Sequence, residues 1–418
     1  MATQALDTSD PYAIPLDKID VSDPGMYQRD EHWGLFKRLR EEDPVHYCAD
    51  SAYGPYWSIT KYHDILEADS NFKAFSSDHG AIALDSERIT GATEDATSIA
   101  SFISMDPPKH DVQRKIVTPA VAPSNIARLE GLMRERTKRI LDSVPIGEDF
   151  DWVSTVSIEL TLMMLANLID YPLEERAQLK NWSDIISGTP GDGVVESWEQ
   201  RDRELKIMAG AFLEMREKRR AEEPKSDLIS MLAHSPFAQD MSMVDYVANV
   251  TTLIVGGNDT TRNSMSGGVL AFHENPGEWA KFKANPDLVD SLVPETIRYQ
   301  TPVLFMGRLA TQDVEMRGKI IRKGDKIAMW YISGNRDEEA IENADSFIID
   351  RERPRQHLSF GFGIHRCLGN RLAEMQLRVL WEEVAKKDWN HIEVLAPPTR
   401  SYSNNLRGID AMPVRIHA

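Results

Sequence analysis

One ten-residue run, Phe360-Gly361-Phe362-Gly363-Ile364-His365-Arg366-Cys367-Leu368-Gly369, constrains this chain more than any other. It reads Phe-x-x-Gly-x-x-x-Cys-x-Gly, and a helical pattern follows from about Asn370. Glycines allow positive φ and let backbone lie close against a flat ligand. A cysteine at the start of a helix meets the positive end of the helix dipole, which favours a thiolate. Backbone N–H groups at that position can point at the sulfur and tune a bound iron. Cys367 is therefore the candidate metal ligand, with Phe360, Gly361 and Gly369 shaping the pocket around it. The second cysteine, Cys48, reads as a buried, inert thiol; two cysteines give neither a disulfide framework nor a zinc spacing.

The balance of charge excludes other classes. A net charge of −18 over 418 residues argues against a nucleic-acid binder and against docking on an anionic membrane. Residues 1–20 have neither the basic nor the apolar segment of a signal peptide. No apolar run approaches the roughly 20 residues of a membrane span; the most apolar stretch, 160–169, is broken by Thr161 and Asn167. A reduced, cytoplasmic setting is expected. Residues 1–30 read as an irregular arm and 31–418 as one domain. Within it, 31–75 mixes a short helix with aromatic strands, 76–104 is a long polar loop, and 122–234 is helical. A helix from Ser242 to about Glu274 stops before Pro276, and 301–350 holds short strands and hairpins.

Three further groups of residues carry chemistry. Gly256-Gly257-Asn258-Asp259-Thr260-Thr261 lies inside the long helix, where each glycine costs about 1 kcal/mol against alanine. The Thr260 hydroxyl can bond the carbonyl of Gly256, four residues back, and bend the helix. Glu295 and Arg298, three apart, can pair on one helix face, and Pro294 before them predicts a kink. His110 and Arg114 share another helix face, while Arg308 and His365 complete a set of four cationic or donor side chains suited to carboxylates.

Taken in this order along the chain, these motifs resemble the cytochrome P450 family from about residue 30 onward, closest to its soluble bacterial alkane and fatty-acid terminal hydroxylases. The stretches 105–111, 256–263 and 329–336 carry the subfamily likeness. The resemblance implies a mainly α (α+β) fold, a triangular helical domain with a small β-rich region. Haem b would lie between the long helix and the helix after Cys367, held at its propionates by His110, Arg114, Arg308 and His365. Thr260 becomes the alcohol, and Asp259 the acid, of a proton relay for dioxygen. Glu295–Arg298 becomes a buried structural pair closed by a later arginine, from 335–337 or 347–351.

The implied reaction inserts one atom of O₂ into a C–H bond and releases the other as water. Electrons would pass from NAD(P)H through a ferredoxin reductase and a 2Fe-2S ferredoxin, the latter docking near Arg366, Arg371 and Arg378 on a monomer. The expected substrate is a medium-chain linear alkane or fatty acid, oxidised at its terminal carbon. A terpene or other bulky hydrophobic molecule is the alternative, and a peroxide-driven enzyme or a haem sensor also remain open. Candidate channel walls are Phe102, Ile103, Leu253, Gly257, Val303, Leu304, Phe305, Asn404, Asn405 and Leu406. Terminal C–H bonds are the strongest in an alkane. Each buried CH₂ adds about 0.8 kcal/mol, which holds a chain without selecting its register, so constriction near the reacting centre must select the terminal carbon.

Overall fold

The computed structural model describes residues 10–78, 81–84, 101–188, 190, 193–235 and 241–418. Most of the polar 76–104 loop lies outside these residues. Its described parts include Ser76 at the end of a short strand, the buried Leu84, a backbone bond from Gly307 N to Ile82 O, and a 3₁₀ turn at Phe102–Ser104.

Helices dominate. The longest, Met243–Glu274, begins where the sequence indicates: Ser242 caps it by accepting from Asp245 N. It ends at Asn275, and Pro276 opens the next helix, Pro276–Ala284. The Pro123–Ser143 helix buries Ile126, Leu129, Met133, Thr137 and Leu141, spaced three and four apart. Val289–Gln300 remains one helix through Pro294.

The β-rich part is a five-stranded sheet in the order Val45–Cys48, Tyr56–Ile59, Lys326–Met329, Met306–Ala310, Phe75–Ser76. Only the Tyr56–Ile59 and Lys326–Met329 pair is parallel. The expected hairpin at Arg317-Gly318 joins Val314–Met316 to Lys319–Ile321, with both turn residues at positive φ.

The N-terminal arm departs from expectation. It holds a 3₁₀ turn at Leu16–Lys18 and a helix at Pro24–Gln28, and Ile19, Val21, Met26 and Tyr27 pack into a cluster with Leu35, Phe36 and Trp330. Arg400 and Arg407 pin its end through Asp30, at 3.1 and 3.2 Å. Burial would raise the Asp30 carboxyl, but Arg407 and Arg400 hold it down to about 2. The arm's Asp and Pro content hid this order, because its apolar residues are too sparse to show a period.

Two large apolar clusters divide the long helix. Val247, Val250 and Ile254 belong to one, and Met265, Val269 and Phe272 to the other. Leu368, the residue after Cys367, packs against both. The helix that follows the cysteine loop, Asn370–Ala385, packs against the long helix.

Candidate active site

The cysteine loop is built on its glycines. Gly361 and Gly363 have φ of 63° and 64°, a region side chains enter at a cost. A Cβ at Gly363 would stand 2.7 Å from the carbonyl oxygen of Asp69. Cys367 N donates to Phe360 O at 2.7 Å, closing the loop, and Gly369 caps the Asn370–Ala385 helix. The Cys367 sulfur lies deep among protein groups yet opens onto space, so it lines an internal cavity. Burial pushes its thiol up, opposed by backbone N–H groups of Gly369 and Asn370 and by Arg114 and Arg366. The helix start supplies the expected donors, but burial outweighs them. Cys48 is buried and its thiol is pushed up to about 12 by burial, as an inert thiol requires.

Leu253, Gly256, Gly257 and Thr260 share one face of the long helix, spaced three and four apart. All four are at least partly exposed, while Ile254, Asn258 and Asp259 are buried. A Cβ at Gly256 or Gly257 would touch nothing within 4 Å. The Thr260 hydroxyl donates to Gly256 O at 2.7 Å, the bond expected from the sequence.

Asp259 does not face Thr260. It points toward the Arg176–Ser187 helix, accepting from Ser183 and Ser187 hydroxyls at 3.2 and 3.4 Å, and pairs with Arg262 at 3.2 Å. Adjacent residues on a helix stand about 100° apart, so one faces the cavity and the other faces away. Burial raises the Asp259 carboxyl, with Arg262 opposing.

The four carboxylate-binding candidates come together. His110 and His365 rings are 4.6 Å apart, edge to face. Burial, then the charges of Arg308, His110 and Arg114, push the His365 imidazole down to about 2. His110 Nε2, Arg114 Nη1 and both His365 nitrogens are buried with no hydrogen-bond partner. Leaving such groups unsatisfied costs about 1–3 kcal/mol each; Arg114 Nη1 and one nitrogen of the neutral His365 are donors, which suits an acceptor-bearing ligand. Two carboxylates beside a flat ring bound by Cys367 fit this donor set. Arg308 differs from the other three: it pairs with Asp69 at 2.7 Å and donates to Gly307 O.

Asp69 and Tyr331 are residues that sequence reasoning missed. Asp69 is 2% exposed and serves three elements at once. It accepts from Arg308 at 2.7 Å, from Tyr331 Oη at 2.8 Å and from Phe362 N inside the cysteine loop at 2.8 Å. The available signal was its place on the buried face of Tyr62–Ser70, four residues after Ile65.

Behind the loop, Glu295 and Arg298 are fully buried and bidentate at 2.7 and 2.8 Å. Arg351 is the closing arginine, 3.0 Å from Glu295. Arg298 also donates to the carbonyls of Asn335, Ala344 and Ser346.

Several expected channel walls prove to be core. Leu304 is 0% and Phe305 1% exposed, both packed in the arm cluster, with Phe305 4.7 Å from the Trp330 ring. Phe102 is buried beneath the long helix's apolar face. Asn404 is buried and its side chain donates to Ser22 O at 2.9 Å, whereas Asn405 keeps partial exposure while its backbone O accepts from Leu304 N. Ile103, Leu253, Gly257, Val303 and Leu406 keep partial exposure, and Val303 bridges Leu406. Of the arginines expected to meet a redox partner, Arg378 is paired with Glu130 and Glu382, while Arg366 and Arg371 are exposed.

The fold and site define a haem-thiolate oxygenase: a glycine-framed cysteine at a helix start, buried polar atoms awaiting a ligand, and a long helix whose glycine pair stays open. Comparison with known proteins places the chain within it. The cytochrome P450 family model matches residues 178–385. Linalool 8-monooxygenase of Pseudomonas putida is 34% identical over 96% of this chain and 99% of its own. Methyl-branched lipid omega-hydroxylase of Mycobacterium tuberculosis is 29% identical over 97% and 96%. Among solved structures, CYP153D17 from a Sphingomonas species superposes with a TM-score of 0.91 at 42% identity, covering 97% of this chain and all of that one. This chain belongs to the cytochrome P450 family. It is a monooxygenase whose family uses haem, O₂ and electrons from redox partners. Among the described residues no helix is long and apolar enough to cross a membrane.

Proposed function

We propose that this enzyme hydroxylates the terminal carbon of a medium-chain acyclic substrate, a linear alkane or fatty acid. The observation that carries the reading is the shared position in the names of its relatives. They act at position 8 of linalool, at the omega carbon of a methyl-branched lipid and at C26 of a steroid. Each of those atoms is a methyl carbon at a chain end. The first relative also favours a second reading, an acyclic terpene alcohol as substrate.

Bound haem supplies oxygen activation, helped by electron release from the thiolate. The chain's own residues do the rest. His110, Arg114 and His365 hold the propionates with polar atoms that otherwise lack partners. Asp69 orients Arg308 beside them. Gly256 and Gly257 leave room for a small molecule next to Thr260. The Thr260 hydroxyl donates to Gly256 O, so its oxygen is free to accept a hydrogen bond, and to relay a proton, at the cavity wall. Asp259, its pKa raised, takes protons on the Ser183 side and must swing about the helix to hand them inward. Leu253, Ile103, Val303 and Leu406 constrict the channel. A 2Fe-2S ferredoxin, reduced from NAD(P)H by its reductase, docks on a monomer near the exposed Arg366 and Arg371.

The test is product analysis with ferredoxin and reductase supplied, across octane to dodecane, the matching fatty acids and linalool. Terminal alcohols from the linear chains support the proposal. Oxidation of linalool alone selects the terpene reading, and oxidation only at in-chain carbons overturns terminal selection.

A further inference from the structure

Outside the cysteine loop and the long helix, three side chains with metal-binding atoms share one face of a small sheet. Its strands run in the order Asp149–Asp151, Pro413–His417, His391–Val394. The register sets His391 directly opposite His417. Glu393, two residues along from His391, falls on the same face. The alternation is strict: Ile392, Val414 and Ile416 point into the main core, while His391, Glu393, Arg415 and His417 point out.

The two imidazoles stack with centroids 4.2 Å apart and planes 4° from parallel. His417 Nε2 lies 2.8 Å from Glu393 Oε2. One ligand atom from each of the three residues lies within 4.8 Å of the others. Arg415, cross-strand from Glu393, is the cation best placed to occupy that carboxylate. It turns instead to Asp149, 2.6 Å away on the opposite strand, leaving Glu393 to the histidines.

We propose that His391, Glu393 and His417 form a divalent-cation site of the zinc class. Two imidazoles and one carboxylate, with a fourth position open to water, form a common ligand set for that ion. Metal–ligand bonds of about 2.1 Å require ligand atoms about 3.4 Å apart in tetrahedral geometry. The three groups must therefore draw in, and one ring must rotate so that the nitrogen lone pairs converge. All three side chains lie at the surface, His391 most exposed, so this needs only side-chain rotation. A bound ion ties strand Pro413–His417 to strand His391–Val394 across the face opposite the core. Because the unfolded chain lacks this arrangement, binding stabilises the folded protein.

The test uses the haem-loaded enzyme, so that Cys367 is engaged, titrated with zinc chloride by calorimetry beside its His391→Gln/His417→Gln variant. The expected result is one more equivalent of zinc on the wild type than on the variant, and a zinc-dependent rise in Tm that only the wild type shows. Glu393→Gln should keep its fold and lose that rise. Equal zinc stoichiometry in wild type and double variant overturns the site. So does a zinc response of Tm that is the same in both. Both variants are surface changes, and circular dichroism without zinc confirms that each remains folded.

Discussion

The polar groups behind the cysteine loop and those in front of it are opposites. Behind it, Arg298 spends its guanidinium on Glu295 and three carbonyls, and Asn335 joins Thr301, Ser359 and Leu358. Asp69 ties three elements together. In front, His110, Arg114 and His365 present unpartnered polar atoms, and the glycine face of the long helix opens onto space. A saturated buried network fixes geometry and has nothing left to offer a ligand. An unsaturated one carries a standing cost that only a ligand relieves. The contrast separates residues that position the site from residues that contact what binds there.

The sharpest way to break the contrast is to unsaturate the rear network. Removing one member of a buried ion pair leaves an uncompensated charge and costs about 3–5 kcal/mol. Glu295→Ala strands both Arg298 and Arg351 and should fall at the upper end, measured by urea unfolding. A loss under about 1 kcal/mol, the level of a surface pair, would show that the network is dispensable.

Leu304 tests the boundary between core and channel. With Leu304 fully buried against the arm cluster, Leu304→Ala should cost about 2–5 kcal/mol through a cavity. It should leave the ratio of terminal to in-chain products unchanged. A shift toward in-chain products at unchanged stability would return Leu304 to the channel wall, where the sequence reading placed it.

That misplacement shows what sequence could carry. The cysteine loop, the long helix with its cap and the Thr260–Gly256 bond were legible, because each depends on residue types at short, fixed spacing; the grouping of His110, Arg114, Arg308 and His365 was legible only through the family resemblance. The channel walls were not. Val303, Leu304 and Phe305 look alike in sequence, and only the path of the strand decides that Val303 is half-open and the next two are core. Asp69 was missed because its partners lie 239, 262 and 293 residues away. The outward turn of Asp259 depends on Ser183 and Arg262, which no local motif includes.

Asp69 predicts a smaller effect than Glu295, because Tyr331 and the loop N–H are neutral donors and only Arg308 is charged. Hydrogen bonds to charged groups contribute about 1.5–3 kcal/mol. Asp69→Asn keeps the shape and removes the charge, so haem transfer to an acceptor apoprotein should speed up, with the CO-bound reduced spectrum still of thiolate type. Unchanged haem retention would mean that Arg308 needs no orientation from behind.

The smallest structural effect is expected where the functional one is specific. Thr260→Ala removes one intrahelical bond to Gly256 O, but alanine is the better helix former, so stability should shift by no more than about 0.5 kcal/mol. Haem content and substrate-induced spectral change should persist, since Thr260 belongs to neither the donor set nor the rear network. What changes is the fate of electrons: without a hydroxyl at the cavity wall, NAD(P)H consumption should continue while peroxide replaces part of the alcohol product. Thr260→Ser keeps an oxygen that can bond Gly256 O and should recover most of the coupling. The ratio of product to NAD(P)H consumed measures this directly. Full coupling in Thr260→Ala would assign the open face of the long helix to substrate shape alone, and the proton path from Asp259 would have to reach the cavity by another route.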